Sequence, residues 1–168
     1  MKVIAFNGSA RKDGNTSILI RREFDPLEAE GIETKLVNLG PQSVNGCLAC
    51  MKCSQNKDGR CVQDKDGLND WLQEMKAADG IILGTPVYFA QISGQMKCFM
   101  DRSGMVSKAN GNLLKRKVGA AVVAARRAGT LASRTGDHHA TPPTPNADQH
   151  RPRHSTCTPN RVPGRPRR

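Results

Sequence analysis

The chain has 168 residues, with 26 Lys and Arg against 15 Asp and Glu, for a formal charge of +11. That length supports one domain with a buried core, and no run approaches the roughly 20 apolar residues of a membrane span. After Met1 the polar turn residues arrive too early for the apolar region of a signal peptide, so a cytoplasmic protein is expected. In that setting six cysteines point to metal or redox use rather than to a disulfide framework.

Two kinds of composition meet near residue 129. Residues 1–128 carry 19 Lys and Arg against 13 Asp and Glu, all the Lys, and the regular apolar patterning of a globular domain. Residues 129–168 hold seven of the ten Pro and all four His; they contain no aromatic residue, and their only large aliphatics are Leu131 and Val162. A segment so poor in apolar side chains cannot offset its ordering entropy and is expected to be disordered. Three readings are open for it: an Arg-rich arm for nucleic acid, a natural extension, or the product of a reading-frame shift in a GC-rich gene. The frame shift accounts best for Arg, Pro, Thr, Ala and His without Lys, Phe, Ile or Tyr. The basic balance of the chain therefore assigns no partner, and neither a membrane nor a nucleic acid is expected to be one.

In chain order, Lys2–Phe6 reads as a short buried strand. Residues Asn7 to Thr16 form a loop of turn and capping residues, with Asn15 or Thr16 placed to cap the next helix. That helix uses Ile18, Leu19, Ile20, Phe24 and Leu27; Pro26 is expected to kink or shorten it, and Gly31 to end it. Ile32–Leu39 alternates as a second strand, and the cysteine-rich segment follows. Asp66–Ala78 reads as a helix with Leu68, Trp71, Leu72 and Met75 on one face. Gly80–Leu83 is a third buried strand, Gly84 to Phe89 a loop, Gly94–Met105 a helix and Lys117–Ala125 a fourth strand. Strands alternating with helices give an α/β fold with an open parallel sheet and helices on both faces. Ligands of such sheets bind beyond the carboxyl ends of the strands, where loops 7–17 and 84–90 and the one starting near Ala125 would meet.

Two motifs carry chemistry. The first loop suits a phosphate: amides at a helix start point outward, the helix dipole favours an anion, and Ser9, Arg11, Asn15, Thr16 and Ser17 add donors. It contains neither a Walker Gly-Lys-Ser/Thr nor GxGxxG, so an ordinary polar turn before a capped helix remains open. The second motif is Cys47, Cys50, Cys53 and Cys61, a Cys-x2-Cys-x2-Cys-x7-Cys run. Thiolates at this spacing select soft metals, as an iron–sulfur cluster or a tetrahedral zinc site, and unligated thiols are the remaining choice. Cys98 stands apart in an apolar helical pattern and reads as a small packed hydrophobe. Residues 1–128 contain no His, so no Ser-His-Asp or Cys-His arrangement is available there.

The run Asn7-Gly8-Ser9-Ala10-Arg11 with Gly14-Asn15-Thr16 resembles the FMN-phosphate loop of the flavodoxin-like NAD(P)H-dependent FMN reductases. Gly84 to Phe89, with Ser93 to Lys97 and Asp101-Arg102, resembles that family's second flavin loop and the helix after it. The cysteine run resembles the compact cluster motif of the iron–sulfur flavoproteins in the family. The resemblance implies a flavodoxin-like fold, with Ser9, Arg11, Asn15, Thr16 and Ser17 on the FMN phosphate. It implies that Thr85, Pro86, Val87, Tyr88 and Phe89 line the flavin ring, although Tyr88 and Phe89 would also suit core packing at a strand end. It further implies a [4Fe–4S] cluster on the four cysteines, and NAD(P)H, another small molecule or a ferredoxin-type protein as electron partner. A homo-oligomer would be in keeping with the family. The cofactor carries such chemistry, so no acid–base side chain is required. The rival reading is a zinc-binding interaction module with a basic nucleic-acid-binding tail; a third is an inactive translation of a damaged gene.

The chain departs from the resemblance in one respect. A complete flavodoxin-like sheet has five parallel strands, whereas four are legible here, and the composition changes where the third flavin loop would begin. One sheet edge should then lose its cover and leave apolar surface and unpaired backbone exposed. A thermal melt should accordingly fall below about 60 °C, within or under the usual range of about 45–65 °C for mesophile domains, with FMN weakly held. A higher melting temperature with stoichiometric FMN would contradict this.

Overall fold

A computed structural model describes residues 1–40, 42–126 and 129. The elements are β1 (Lys2–Asn7), α1 (Asn15–Ala29), β2 (Glu33–Asn38), α2 (Lys52–Asn56), α3 (Leu68–Ala77), β3 (Gly80–Tyr88), β4 (Gln91–Ile92), α4 (Gly94–Ala109) and β5 (Val118–Ala124). Four strands form a parallel sheet in the order β2-β1-β3-β5. The register runs from Lys2 opposite Glu33 to Asn7 opposite Asn38 on one side of β1, and from Val3 opposite Gly80 to Asn7 opposite Gly84 on the other. The order reverses between β1 and β3: the chain leaves β1 toward β2, then returns across to β3. The carboxyl ends of these two neighbours are thus the switch point of the sheet.

Side chains alternate across the central strands and fill two cores. Ile4 and Phe6 of β1 with Ile81 and Leu83 of β3 face Leu68, Trp71, Leu72 and Met75 of α3 and Met96, Phe99 and Val106 of α4. Val3 and Ala5 with Ile82 face Ile20 and Phe24 of α1. All four α3 positions expected to share a face are buried. Phe99 is the centre of the larger core. Its ring lies 4.6 Å from that of Phe6, and 6.0 Å from that of Trp71 in an edge-on pair. Gly84 sits inside β3, where a Cβ would lie 2.4 Å from Ile20 Cδ1, so its missing side chain lets α1 lie close on the sheet.

Several expectations from the sequence are revised. Helix α1 is not shortened at Pro26 but continues through it to Ala29. Gly31 ends the turn with φ +73°, as expected. Neither Asn15 nor Thr16 caps α1; the cap is Gly14, which has no side chain to offer. Ile18 and Leu19 are exposed, so Ile20 and Phe24 fill the core and Leu27 packs half-buried against it. The expected loop at Gly84 is a continuation of β3 as far as Tyr88, and β4 folds back on it as a short antiparallel hairpin. Helix α4 extends past Met105 to Ala109, and α2, inside the cysteine segment, has no counterpart in the apolar pattern.

Among the described residues β5 pairs with β3 alone, and Val118, Gly119, Ala120 and Ala121 are exposed. The tail expectation lies outside the described residues apart from Gly129. No helix among the described residues is long and apolar enough to cross a membrane. Replacing Phe99 by Ala should cost about 3–5 kcal/mol in denaturant unfolding, the usual range for a buried Phe, because both ring pairs are lost and the cavity opens at the centre of the core.

Candidate functional site

The first loop is built on a buried amide. Asn7, wholly buried at the end of β1, donates from Nδ2 to Asn38 Oδ1 at 2.9 Å and accepts the Ser9 N–H on Oδ1 at 3.0 Å. Gly8 donates its N–H to the Gly84 carbonyl at 2.8 Å. Gly40 presses on the same loop, where a Cβ would fall 1.9 Å from the Ser9 carbonyl oxygen, so only glycine fits there. Ser9 Oγ accepts the Arg11 N–H at 3.1 Å, which leaves its own hydroxyl proton free to donate. At the start of α1, Ser17 Oγ donates to the Gly14 carbonyl at 2.8 Å. Thr16 Oγ1 is buried and has no hydrogen-bond partner among the described residues. Arg11 and Asn15 are exposed at the mouth of the loop. An uncapped helix start, a guanidinium and a buried hydroxyl without a partner make an anion site, and the chemistry fits the phosphate of FMN.

The second loop meets the first through Ser93. Its Oγ donates to the Gly8 carbonyl at 2.7 Å and accepts the Met96 N–H at 3.3 Å, capping α4; its N–H donates to Thr85 Oγ1 at 3.1 Å. Thr85 in turn donates to the Pro86 carbonyl at 3.0 Å and is buried. Beyond it the β3–β4 hairpin turns on Phe89 (φ 45°) and Ala90 (φ 65°), two left-handed residues where glycine or asparagine is usual. Tyr88 and Phe89 project into solvent, which removes the core-packing reading for them. Gly129 approaches this turn; a Cβ there would lie 2.7 Å from Val87 Cγ1 and 3.1 Å from Ala90 Cα.

The fold thus brings Ser9, Arg11, Asn15 and Thr16 from the end of β1 beside Pro86, Val87, Tyr88 and Phe89 at the end of the adjacent β3. Two expected side chains are otherwise engaged. The Ser17 proton goes to Gly14, and the Thr85 hydroxyl proton goes to the Pro86 carbonyl within its own loop. Gly84 serves helix packing rather than an exposed turn. Ser93, with its links to both loops, and Asn7 stood in the matched runs without a role of their own, and the structure gives each one. Ser93 was legible as a helix cap, but its long-range bond to Gly8 was not.

The cysteine segment is held from below. Cys47 and Cys50 are exposed; Cys53, on α2, and Cys61 are half-buried; all four are free thiols, as is the half-buried Cys98. Among the described residues no three Cys, His, Asp or Glu side chains converge as a ligand group. The physical reason is local: residues 47–52 are exposed and pack on no core that would aim the first two sulfurs. The backbone bends there through left-handed Ala49 (φ 49°) and Met51 (φ 56°), on either side of Cys50. The other half of the run is anchored. Asn69 accepts the Cys61 N–H at 2.8 Å and donates to the Cys61 carbonyl at 2.9 Å. Asn110 accepts the Gly59 N–H at 2.9 Å and donates to the Cys53 carbonyl at 3.3 Å. Arg102, buried, pairs with Asp66 and reaches Cys61 Sγ at 3.5 Å. Burial works to lower the Arg102 pKa, but hydrogen bonding and attraction to Asp66 and Cys61 outweigh it and the net direction is up, so the guanidinium stays charged. Four thiols fit a cluster or zinc by donor type and number. Asn69 lies on α3, Arg102 on α4 and Asn110 just past the end of α4, so the cysteine spacing alone could not disclose them.

Comparison with known proteins agrees with this geometry. A sequence model of NADPH-dependent FMN reductases matches residues 1–139. An iron-sulfur flavoprotein of Methanocaldococcus jannaschii is 44% identical over 124 residues, covering 73% of this chain and 61% of that protein. One from Methanosarcina thermophila is 37% identical over 122 residues, covering 73% of this chain and 62% of its own length. The chain therefore spans about three fifths of these relatives. Among solved structures, an NAD(P)H:quinone oxidoreductase from Methanothermobacter marburgensis superposes with a TM-score of 0.62 at 11% identity, over 83% of this chain and 70% of that one. That likeness establishes the flavodoxin-like fold. None of these relatives favours a zinc module. With its sheet, switch-point loops and matched residues 1–139, the chain belongs to the NADPH-dependent FMN reductase family.

Proposed function

We propose that this chain is an FMN-dependent oxidoreductase of the iron–sulfur flavoprotein type, acting in the cytoplasm. It would take electrons from NAD(P)H and exchange them with a small-molecule or ferredoxin-type partner. The observation that carries the reading is the buried, unpartnered Thr16 hydroxyl beneath an uncapped helix start, at the switch point of the sheet. Ser9, Arg11, Asn15 and Thr16, with the first amides of α1, would hold the FMN phosphate, Ser17 contributing its backbone rather than its hydroxyl. Pro86 to Phe89 would border the ring, largely through main chain. Cys47, Cys50, Cys53 and Cys61 would hold a [4Fe–4S] cluster. When bound, FMN takes up electrons in a pair and releases them singly, which suits exchange with a one-electron centre. The chain's own part is to bind and orient: Ser93 keeps the two loops in register, and Asn69 and Asn110 hold the cysteine segment near α4.

Protein purified without air should show flavin absorption bands over a broad brown shoulder, and NADPH should bleach the flavin bands. Cys50→Ser should remove the shoulder and leave the flavin bands, since Cys50 is exposed and supports no other part of the fold. A colourless, folded protein would overturn the whole reading. Thr16→Val should weaken FMN binding about tenfold or more, a loss of about 1.5–3 kcal/mol for a hydrogen bond to a charged group. The melting temperature of the FMN-free protein should hold or rise, because an apolar methyl replaces a buried hydroxyl without a partner. Unchanged FMN affinity would move the phosphate elsewhere.

A further inference from the structure

We propose that Arg102 is a positioning residue for the metal centre on the cysteine segment: it pre-shapes that segment and, through its hydrogen bond to Cys61 sulfur, raises the reduction potential of the centre. The inference rests on the reading of Cys61 as a cluster ligand. Arg102 is 1% exposed and reaches four points of the segment from below. Nη1 donates to the Asn45 carbonyl at 3.3 Å and pairs with Asp66. Nη2 donates to the Gln63 carbonyl at 2.6 Å and lies 3.5 Å from Cys61 Sγ. Nε is buried with no partner among the described residues. One planar fork thus pins the chain on both sides of the cysteines, at Asn45 before Cys47 and at Cys61 and Gln63 after Cys53. Holding the ends of a long loop together before it binds removes part of the entropy that ligation would otherwise cost.

Stability alone is a poor account of this arrangement. A buried ion pair seldom improves on apolar residues of similar volume, because desolvation offsets its attraction. The Asp66 carboxylate roughly cancels the guanidinium charge, so the pair presents the sulfur with a directed N–H donor rather than a bare cation. Hydrogen bonds to ligating sulfurs withdraw electron density and favour the reduced, more negative cluster, and outer partners of this kind tune affinity by tenfold or more. Asn69 holds both backbone groups of Cys61, so the sulfur is fixed where the donor can reach it.

The test uses full-length protein reconstituted with iron and sulfide, comparing wild type with R102M/D66N, which removes both charges and leaves no orphaned ion. A second variant, R102K, keeps the charge and loses the fork. The readouts are the midpoint potential of the cluster, followed by electron paramagnetic resonance, and the rate of iron loss to a chelator. The proposal expects a more negative potential in R102M/D66N and a smaller shift in R102K. It expects iron loss at least about tenfold faster in the double variant, in line with lost outer-shell partners. Should the double variant not fold, R102K carries the comparison alone. Faster iron loss at an unchanged potential makes Arg102 a staple only and overturns the tuning role; no change in either overturns both roles. A wild-type protein that binds FMN and takes up no cluster overturns the cluster reading itself, and the proposal with it.

Discussion

The bond from Ser93 Oγ to the Gly8 carbonyl, at 2.7 Å and wholly buried, is the constraint on which the flavin site depends. Two loops from neighbouring strands share no sequence proximity, and beyond the Gly8 N–H to Gly84 carbonyl bond it is this contact that ties them. Ser93 joins them, caps α4 and anchors Thr85 in the same few ångströms. Glycine at position 8 is what permits this closeness, since a Cβ there would fall 2.8 Å from Ser93 Oγ and 2.7 Å from Met96 Cβ. In low dielectric such bonds are costly to leave half-made, so the loops are held as a unit.

Helix α4 links the two proposed cofactor regions. Ser93, Met96, Phe99, Arg102, Val106 and Asn110 recur every three or four residues and lie on one face. At a rise of 1.5 Å per residue, the flavin loops at Ser93 and the cysteine segment at Asn110 are supported by points about 25 Å apart along that helix. Phe99, between them, locks the face onto β1 and α3 through its ring contacts. The core and both site supports therefore share a single rigid element, which is how distant loops can keep a fixed relation.

The β3–β4 hairpin shows a local rule broken where the site lies. Phe89 and Ala90 adopt the left-handed region at both central positions of the turn, where side chains cost energy. Such departures persist when function or surrounding structure requires them. Gly129 brings the chain beyond β5 against the same turn, so the three switch-point loops meet at this corner of the sheet.

What the residues settle by themselves is the class of fold and the kind of chemistry. Alternation of short apolar runs with amphipathic helices is a local property, and β1, β2, α3 and β5 fall where the pattern puts them, within a residue or two of the expected ends. The phosphate loop and the four cysteines are likewise local motifs, legible because donors must be close in the chain. Tertiary structure decided which of those donors are available: Ser17 and Thr85 spend their hydroxyls on neighbours, and Thr16 keeps its own. It also decided that β3 continues through Thr85-Pro86, because the sheet continues beside it at Val123 and Ala124. Arg102 and Asn110 come to the cysteines from 41 and 57 residues along the chain, and no spacing rule records such encounters. Local motifs name the chemistry; the long-range hydrogen bonds of a packed core determine which atoms are free to perform it.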